Sequence, residues 1–188
     1  MNKITTITED NNPKVWGLVS NYEINICIDG VSYTFPRETY SVGDFVSIVP
    51  VNISQRYTYL IEQPRAAMLK KYDQLSLEAC GGKVDSHGPL YSAVNELHEE
   101  CGITCNETDI NFIGDVMVSP GSLEEKSYLY YVDFSEDQVA DELILDEKEP
   151  LIRRKVYFDE INNLIQQGYI KDLRTLYLLK KLEERKVL

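Results

Sequence analysis

From Pro89 to Cys101 the apolar residues Leu90, Ala93, Val94, Leu97 and Cys101 recur at the three- and four-residue intervals that turn one stripe of an α-helix toward a core. Pro89 suits the first turn, where its missing N–H costs nothing, and Gly102 suits the left-handed position just past the last turn. The same stretch carries Glu96, Glu99 and Glu100, three and four residues apart, so the spacing puts all three carboxylates on one face. Like charges so placed destabilise a helix unless a cation neutralises them, and clustered hard oxygens suit Mg²⁺ or Mn²⁺ better than a soft metal. The other reading of such a run is a solvated acidic face.

Elements of the opposite kind surround this helix. Asp29-Gly30 between Ile26-Cys27-Ile28 and Val31-Ser32-Tyr33 is a two-residue hairpin signal inside a β-rich stretch from Val15 to Phe35. Phe45 to Val51 reads as a buried strand with Arg56 to Glu62 as its partner, and a short apolar run from Leu75 to Ala79 ends at Cys80-Gly81-Gly82. Strand patterns follow at Ile110 to Val118 and Ser127 to Phe134, then an acidic stretch from Glu136 to Glu149 and a strand near Leu151 to Phe158. Two helices interrupted at Gln167-Gly168 close the chain. Strands, one long helix, more strands and closing helices make an α/β or α+β fold with a module boundary at Ser41-Val42-Gly43-Asp44. Residues 1–41 form a polar tail and a small antiparallel β module, and residues 42–188 the main domain.

Charge narrows the partners. With 31 acidic and 19 basic residues in 188, the net charge of -12 repels phosphate backbones and anionic lipid, so neither nucleic acid nor membrane is an expected partner, and a small anionic ligand needs a local positive pocket. No apolar run approaches the roughly 20 residues that cross a bilayer, and the amino terminus lacks a hydrophobic signal core, so the expected location is cytoplasmic. Four cysteines at 27, 80, 101 and 105 read as reduced thiols rather than a disulfide framework. His98, Cys101 and Cys105 do not make a zinc set, because only two His exist and no Cys-x-x-Cys is present.

The residues from Gly81-Gly82-Lys83-Val84-Asp85 to Asn95-Glu96-Leu97-His98-Glu99-Glu100-Cys101-Gly102-Ile103 resemble the Nudix box, whose second half is matched except that Asn95 stands where the pattern has Arg. The box Glu falls at His87. Gly43 to Val51, Glu62-Gln63-Pro64-Arg65, Ser119-Pro120-Gly121 and Gly168 to Thr175 look like the ADP-ribose pyrophosphatase branch of that superfamily. The resemblance covers roughly residues 42 to 182.

It implies a Nudix fold, an α/β/α sandwich with a mixed sheet. It implies Mg²⁺ or Mn²⁺ held by Glu96, Glu99 and Glu100 with a backbone carbonyl of Gly81 or Gly82, the latter fitting the family order better. Glu99 counts among the catalytic residues as well. Arg65 would contact the substrate diphosphate, and Glu147 or Glu149, on the loop before the last strand, would activate water. Trp16 would stack on the nucleobase if the amino-terminal module builds a homodimer, whereas burial statistics favour it as a core residue. A hydrogen-bonded His87 and Asn95 pair could replace the family's Glu and Arg, the plainer reading being that His87 is an ordinary loop residue.

The implied reaction is Mg²⁺-dependent hydrolysis of a nucleoside diphosphate linked to another moiety, with ADP-ribose giving AMP and ribose 5-phosphate as the leading expectation. UDP-glucose or ADP-glucose is the alternative within the class. A Nudix-fold module that binds a nucleotide or a partner protein without turnover is the alternative outside it.

Overall fold

A computed structural model describes residues 16–141, 143 and 150–188. The chain opens with a hairpin, β1 (Leu18–Ile28) and β2 (Val31–Ser41), paired antiparallel from Leu18↔Ser41 to Ile28↔Val31. Its turn is Asp29-Gly30 with φ of 52° and 81°, the two positive values that a type I′ turn requires. Both arms run to 11 residues, longer than the sequence pattern marks, because register-paired backbone continues past the apolar alternation. The hairpin meets the rest of the chain near its base: Tyr40 donates its amide to the Ser122 carbonyl at 2.8 Å and accepts from the Glu124 amide at 3.1 Å.

The second sheet is mixed. β3 (Phe45–Asn52) runs parallel to β7 (Ser127–Asp133), and β6 (Asn111–Val116) lies antiparallel beyond it with a register shift between Phe112 and Gly114. β4 (Tyr57–Gln63) meets β3 only at Val51↔Thr58 and Asn52↔Tyr57. It then pairs with β5 (Ser76–Glu78) on that edge and with β8 (Ile152–Tyr157) along the whole of the other. The strand expected near Leu151 to Phe158 is therefore β4's principal partner, a non-local pairing that alternation cannot encode.

Helices cover both faces. α1 (Ala66–Tyr72), which the sequence reading leaves out, is a seven-residue turn with no buried residue. α2 (Pro89–Cys101) has the expected bounds and buries Ala93, Leu97 and Cys101 against Val46, Ile48, Tyr59 and Ile61. α3 (Phe158–Gln166) and α4 (Leu173–Glu184) bury Ile161, Leu164, Leu178, Leu179 and Leu182 against Val49, Val51 and Leu60 on the opposite face. Even-numbered residues of β3 thus serve one helical layer and odd-numbered ones the other, the period of two doing the sorting. No helix among the described residues is long and apolar enough to cross a membrane.

Trp16 departs from the core expectation: it is 83% exposed at the foot of the hairpin, before the first residue paired in register, where no second layer covers it. Glu147 and Glu149 lie outside the described residues.

Candidate active site

One end of the mixed sheet opens into a cleft of about 740 Å³, lined from β3 by Phe45, Val46 and Ser47, from the end of β4 by Gln63 to Arg65, and from the β5 loop by Glu78, Ala79 and Gly81 to Lys83. Each helical layer reaches it: Glu96 and Glu100 from α2, Asp172 and Arg174 from the start of α4.

The loop from Cys80 to Val84 is laid along the start of β3. Ile48 donates to the Cys80 carbonyl at 2.8 Å, Val46 to the Gly82 carbonyl at 2.8 Å and Val84 to the Asp44 carbonyl at 2.9 Å. Gly82, the preferred carbonyl ligand from the sequence, therefore has its carbonyl engaged by Val46. The Gly81 carbonyl accepts no hydrogen bond from the described residues, while the Gly81 amide donates to Glu100 Oε2 at 2.8 Å. The absent side chains matter at both positions. A Cβ on Gly81 would meet the Val46 carbonyl oxygen at 2.1 Å, and one on Gly82 would meet Glu96 Oε1 at 1.9 Å.

Glu96 and Glu100 are one helical turn apart, separated by about 40° around the axis, so both reach this loop. Glu99 sits about 60° to the other side of Glu96; it is exposed and does not line the cleft. The structure thus brings together two of the three carboxylates expected at a cation, and among the described residues no group of three or more His, Cys, Asp or Glu is gathered at metal-binding distance. Burial pushes the Glu100 carboxyl above the ordinary range, against the Gly81 amide, the Cys80 thiol and the Arg65 charge, which pull it down. A buried carboxylate of this kind is stabilised by a cation, and the hard-oxygen set of Glu96, Glu100 and a glycine carbonyl fits Mg²⁺ or Mn²⁺.

Arg65, at the turn from β4 into α1, is in the cleft as expected, but it is not idle there. Its Nε and Nη2 lie 3.1 Å and 2.9 Å from Oε2 of Glu78, a carboxylate whose side chain is only 8% exposed. Glu78 belongs to the order Glu78-Ala79-Cys80-Gly81-Gly82 that resembles the family pattern, but the sequence assigns it no role of its own. Glu125, Lys83, Asp172 and Arg174 are likewise cleft residues that sequence reasoning gave no role. His87 turns to Asp85, 3.5 Å from its Oδ2, and to the Tyr91 ring at 4.6 Å, so it makes no pair with Asn95.

No family model matches the chain. Among curated proteins it is 28% identical over 162 residues to the GDP-mannose pyrophosphatase of Cronobacter sakazakii, covering 85% of this chain and 84% of that one. It is also 28% identical over 181 residues to the GDP-mannose pyrophosphatase of Yersinia pestis, covering 95% and 90%. Among solved structures it matches one described as an ADP compounds hydrolase with a TM-score of 0.65 and 19% identity, over 96% of this chain and 90% of that one. The chain is Nudix in fold and Nudix-like in sequence. His87 lies past the stretch from Cys80 to Val84 that is bonded to β3, and Asn95 is in the middle of α2, so neither takes part in the backbone hydrogen bonds that hold the glycine loop against β3.

Proposed function

We propose that this Nudix protein hydrolyses the diphosphate of a nucleotide sugar, giving a nucleoside monophosphate and a sugar phosphate. The observation that carries the reading is the meeting of Glu96 and Glu100 with the Gly81-Gly82 loop in a cleft that also holds Arg65. GDP-mannose, named for the relatives, and ADP-ribose, implied by the branch that the motifs resemble, are the two substrates it is expected to discriminate, with UDP-glucose and ADP-glucose as further tests.

Glu96, Glu100 and, after a rotamer change, Glu99 would hold Mg²⁺ or Mn²⁺, which supplies charge neutralisation of the diphosphate and a water acidic enough to attack phosphorus near neutral pH. Arg65 binds a phosphoryl oxygen through its Nη1 edge, since Glu78 occupies the Nε edge. Glu147 or Glu149 takes the proton of the attacking water; Pro150, next in sequence after Glu149, lines the cleft. The bridging oxygen leaves with one phosphoryl group as the water oxygen bonds to the other.

The amino-terminal hairpin supports the homodimer. Tyr22, Ile24, Ile26, Ile28, Val31 and Tyr33 alternate onto one of its faces and are all more than one-third exposed, whereas an isolated two-stranded hairpin is at best marginally stable in water. A second copy covering that face would place Trp16, exposed and the only Trp of the chain, within reach of a nucleobase.

The test is to incubate the purified chain with GDP-mannose or ADP-ribose and Mg²⁺ and to follow GMP or AMP, with Glu100→Gln beside it. Equal rates for the two proteins remove the mechanism. Intact nucleotide sugar after hours, with binding by calorimetry, would favour the non-catalytic alternative. Quenching of Trp16 fluorescence on adding nucleotide reports the stacking.

A further inference from the structure

The motif from Gly168 to Thr175 leads into α4 and carries Arg174, a cleft arginine with no part in the proposed hydrolysis. Asp172 is the N-cap of α4, accepting from the Thr175 amide at 2.9 Å and from the Thr175 hydroxyl at 2.8 Å through Oδ2. Its other oxygen, Oδ1, holds Arg174 through Nε and Nη2, both at 3.2 Å. The pair is largely enclosed, with side-chain exposures of 20% for Arg174 and 14% for Asp172, and the guanidinium lies 5.7 Å from the centre of the Phe45 ring. All three residues line the cleft.

The arrangement repeats that of Arg65. In both cases a carboxylate grips the Nε side of the guanidinium, and Nη1 has no hydrogen bond to the described residues. A guanidinium so gripped cannot swing away, and its remaining donors are fixed in a planar fork suited to phosphoryl oxygens. Glu78 and Thr175 are also joined through the backbone: the Thr175 hydroxyl accepts from the amide of Ala79, the residue after Glu78, at 2.8 Å. The two gripped arginines therefore belong to one rigid frame, one standing at the end of β4 and the other at the start of α4.

We propose that Arg174 is a second diphosphate-contacting residue, with Asp172 as the positioning residue that aims it, so that substrate oxygens are held between Arg65 and Arg174 while Glu96 and Glu100 face the cation. This rests on the reading of the cleft as a diphosphate site, and the probe is chosen to separate the two. Methylenediphosphonate, which cannot be hydrolysed at its bridge, is titrated calorimetrically into wild type, Arg174→Gln, Arg174→Lys and Asp172→Asn with Mg²⁺ present.

Arg174→Gln is expected to weaken binding about tenfold to a hundredfold, the range for a hydrogen bond to a charged group. Arg174→Lys should recover part of that loss, because an ammonium keeps the charge without the fork. Asp172→Asn keeps a capping oxygen, so its unfolding temperature should stay within about 2 °C of wild type. Its binding should nevertheless fall severalfold, which a purely structural role would not produce. On a hydrolysed nucleotide sugar the Arg174 variants should raise KM more than they lower kcat. Diphosphonate binding equal to wild type in both Arg174 variants overturns the proposal, as does a wild-type chain that does not bind the probe. A wild-type chain that binds it through Arg174 yet hydrolyses no nucleotide sugar leaves the inference standing and removes the hydrolase reading.

Discussion

Placing a methyl group on Gly81 and on Gly82 in turn should separate the loop's structural function from its chemical one. On Gly81 the new Cβ would lie 2.1 Å from the Val46 carbonyl oxygen and 2.9 Å from the Ser47 Cα, both backbone atoms of a buried strand. The loop must lift, which strains or breaks the bonds from Ile48 to Cys80 and from Val46 to Gly82. Two backbone hydrogen bonds lost with their groups left buried cost about 2–4 kcal/mol. In a chain of this size that lowers the melting temperature by roughly 5–15 °C. On Gly82 the Cβ would lie 1.9 Å from Oε1 and 2.5 Å from Cδ of Glu96, the far end of a side chain that can turn away, so stability should change by less than about 1 kcal/mol. What changes is cation binding. Mn²⁺ at a hundred times its dissociation constant stabilises the wild-type fold by about 2.7 kcal/mol, or roughly 5–11 °C. A hundredfold loss of affinity leaves about 0.4 kcal/mol, or roughly 1–2 °C. Thermal unfolding of the three proteins with and without Mn²⁺ reads both effects. A Gly82→Ala protein that keeps the full Mn²⁺ shift would refute the placement of Glu96 at the cation, and a Gly81→Ala protein as stable as wild type would refute the crowding argument.

Thr175→Val should destabilise the chain by about 1–3 kcal/mol in urea unfolding, because the buried Ala79 amide loses its acceptor and Asp172 Oδ2 loses one of its two donors, whereas Thr175→Ser should cost less than about 1 kcal/mol. Tyr57, buried and donating to Glu136 Oε1 at 2.8 Å, has its pKa raised by burial first and by that hydrogen bond second. The folded phenol keeps its proton where the unfolded chain loses it, so this contribution is full below about pH 10 and is lost as pH rises beyond. Urea midpoints measured between pH 8 and 11 should therefore fall less steeply in Tyr57→Phe than in wild type. Ile26→Glu, on the apolar face of the hairpin, should convert a dimer to a monomer in sedimentation equilibrium without changing the circular dichroism of the main domain; a wild-type chain that is monomeric throughout would remove the homodimer.

The fold was legible in the sequence where one local rule decided the element. Pro89, Gly102 and the apolar spacing between them gave α2 its bounds, and Asp29-Gly30 placed the hairpin turn, because both signals act within a few residues. What stayed hidden depends on residues far apart in sequence. The pairing of β4 with β8 joins positions about a hundred apart, and α1 has neither a capping side chain nor a buried face to announce it. The same distinction holds in the cleft. Glu96 and Glu100 were readable from helical spacing, but that spacing also enlisted Glu99, which the helix turns outward. Arg65 was marked by a motif, while its partner Glu78 belongs to another strand, and no pattern along the chain joins them. Trp16 was misplaced because burial statistics describe a residue type and not the end of a projecting hairpin.

The charges of the cleft lead one step further. Arg65 is matched by Glu78 and Arg174 by Asp172, which leaves Lys83 as the remaining basic residue among the described residues that line the cleft, together with Glu96, Glu100 and Glu125. A diphosphate diester would bring two more negative charges into an already negative cleft on a chain of net charge -12, so without a cation its binding is opposed by the site itself. The cation, for its part, gains anionic phosphoryl-oxygen ligands when the diphosphate arrives. Each must therefore raise the affinity of the other, and thermodynamic linkage makes the two factors equal. The arginines cannot substitute for the cation, because their carboxylate partners have already cancelled most of their charge; what they retain is direction. On the proposed reading, charge neutralisation would come from a cation held at Glu96 and Glu100, and orientation from the two gripped guanidinium groups. Mg²⁺ and methylenediphosphonate titrated in either order should give the same coupling factor, and an affinity for the diphosphonate that is unchanged when Mg²⁺ is chelated would break this account at its electrostatic root.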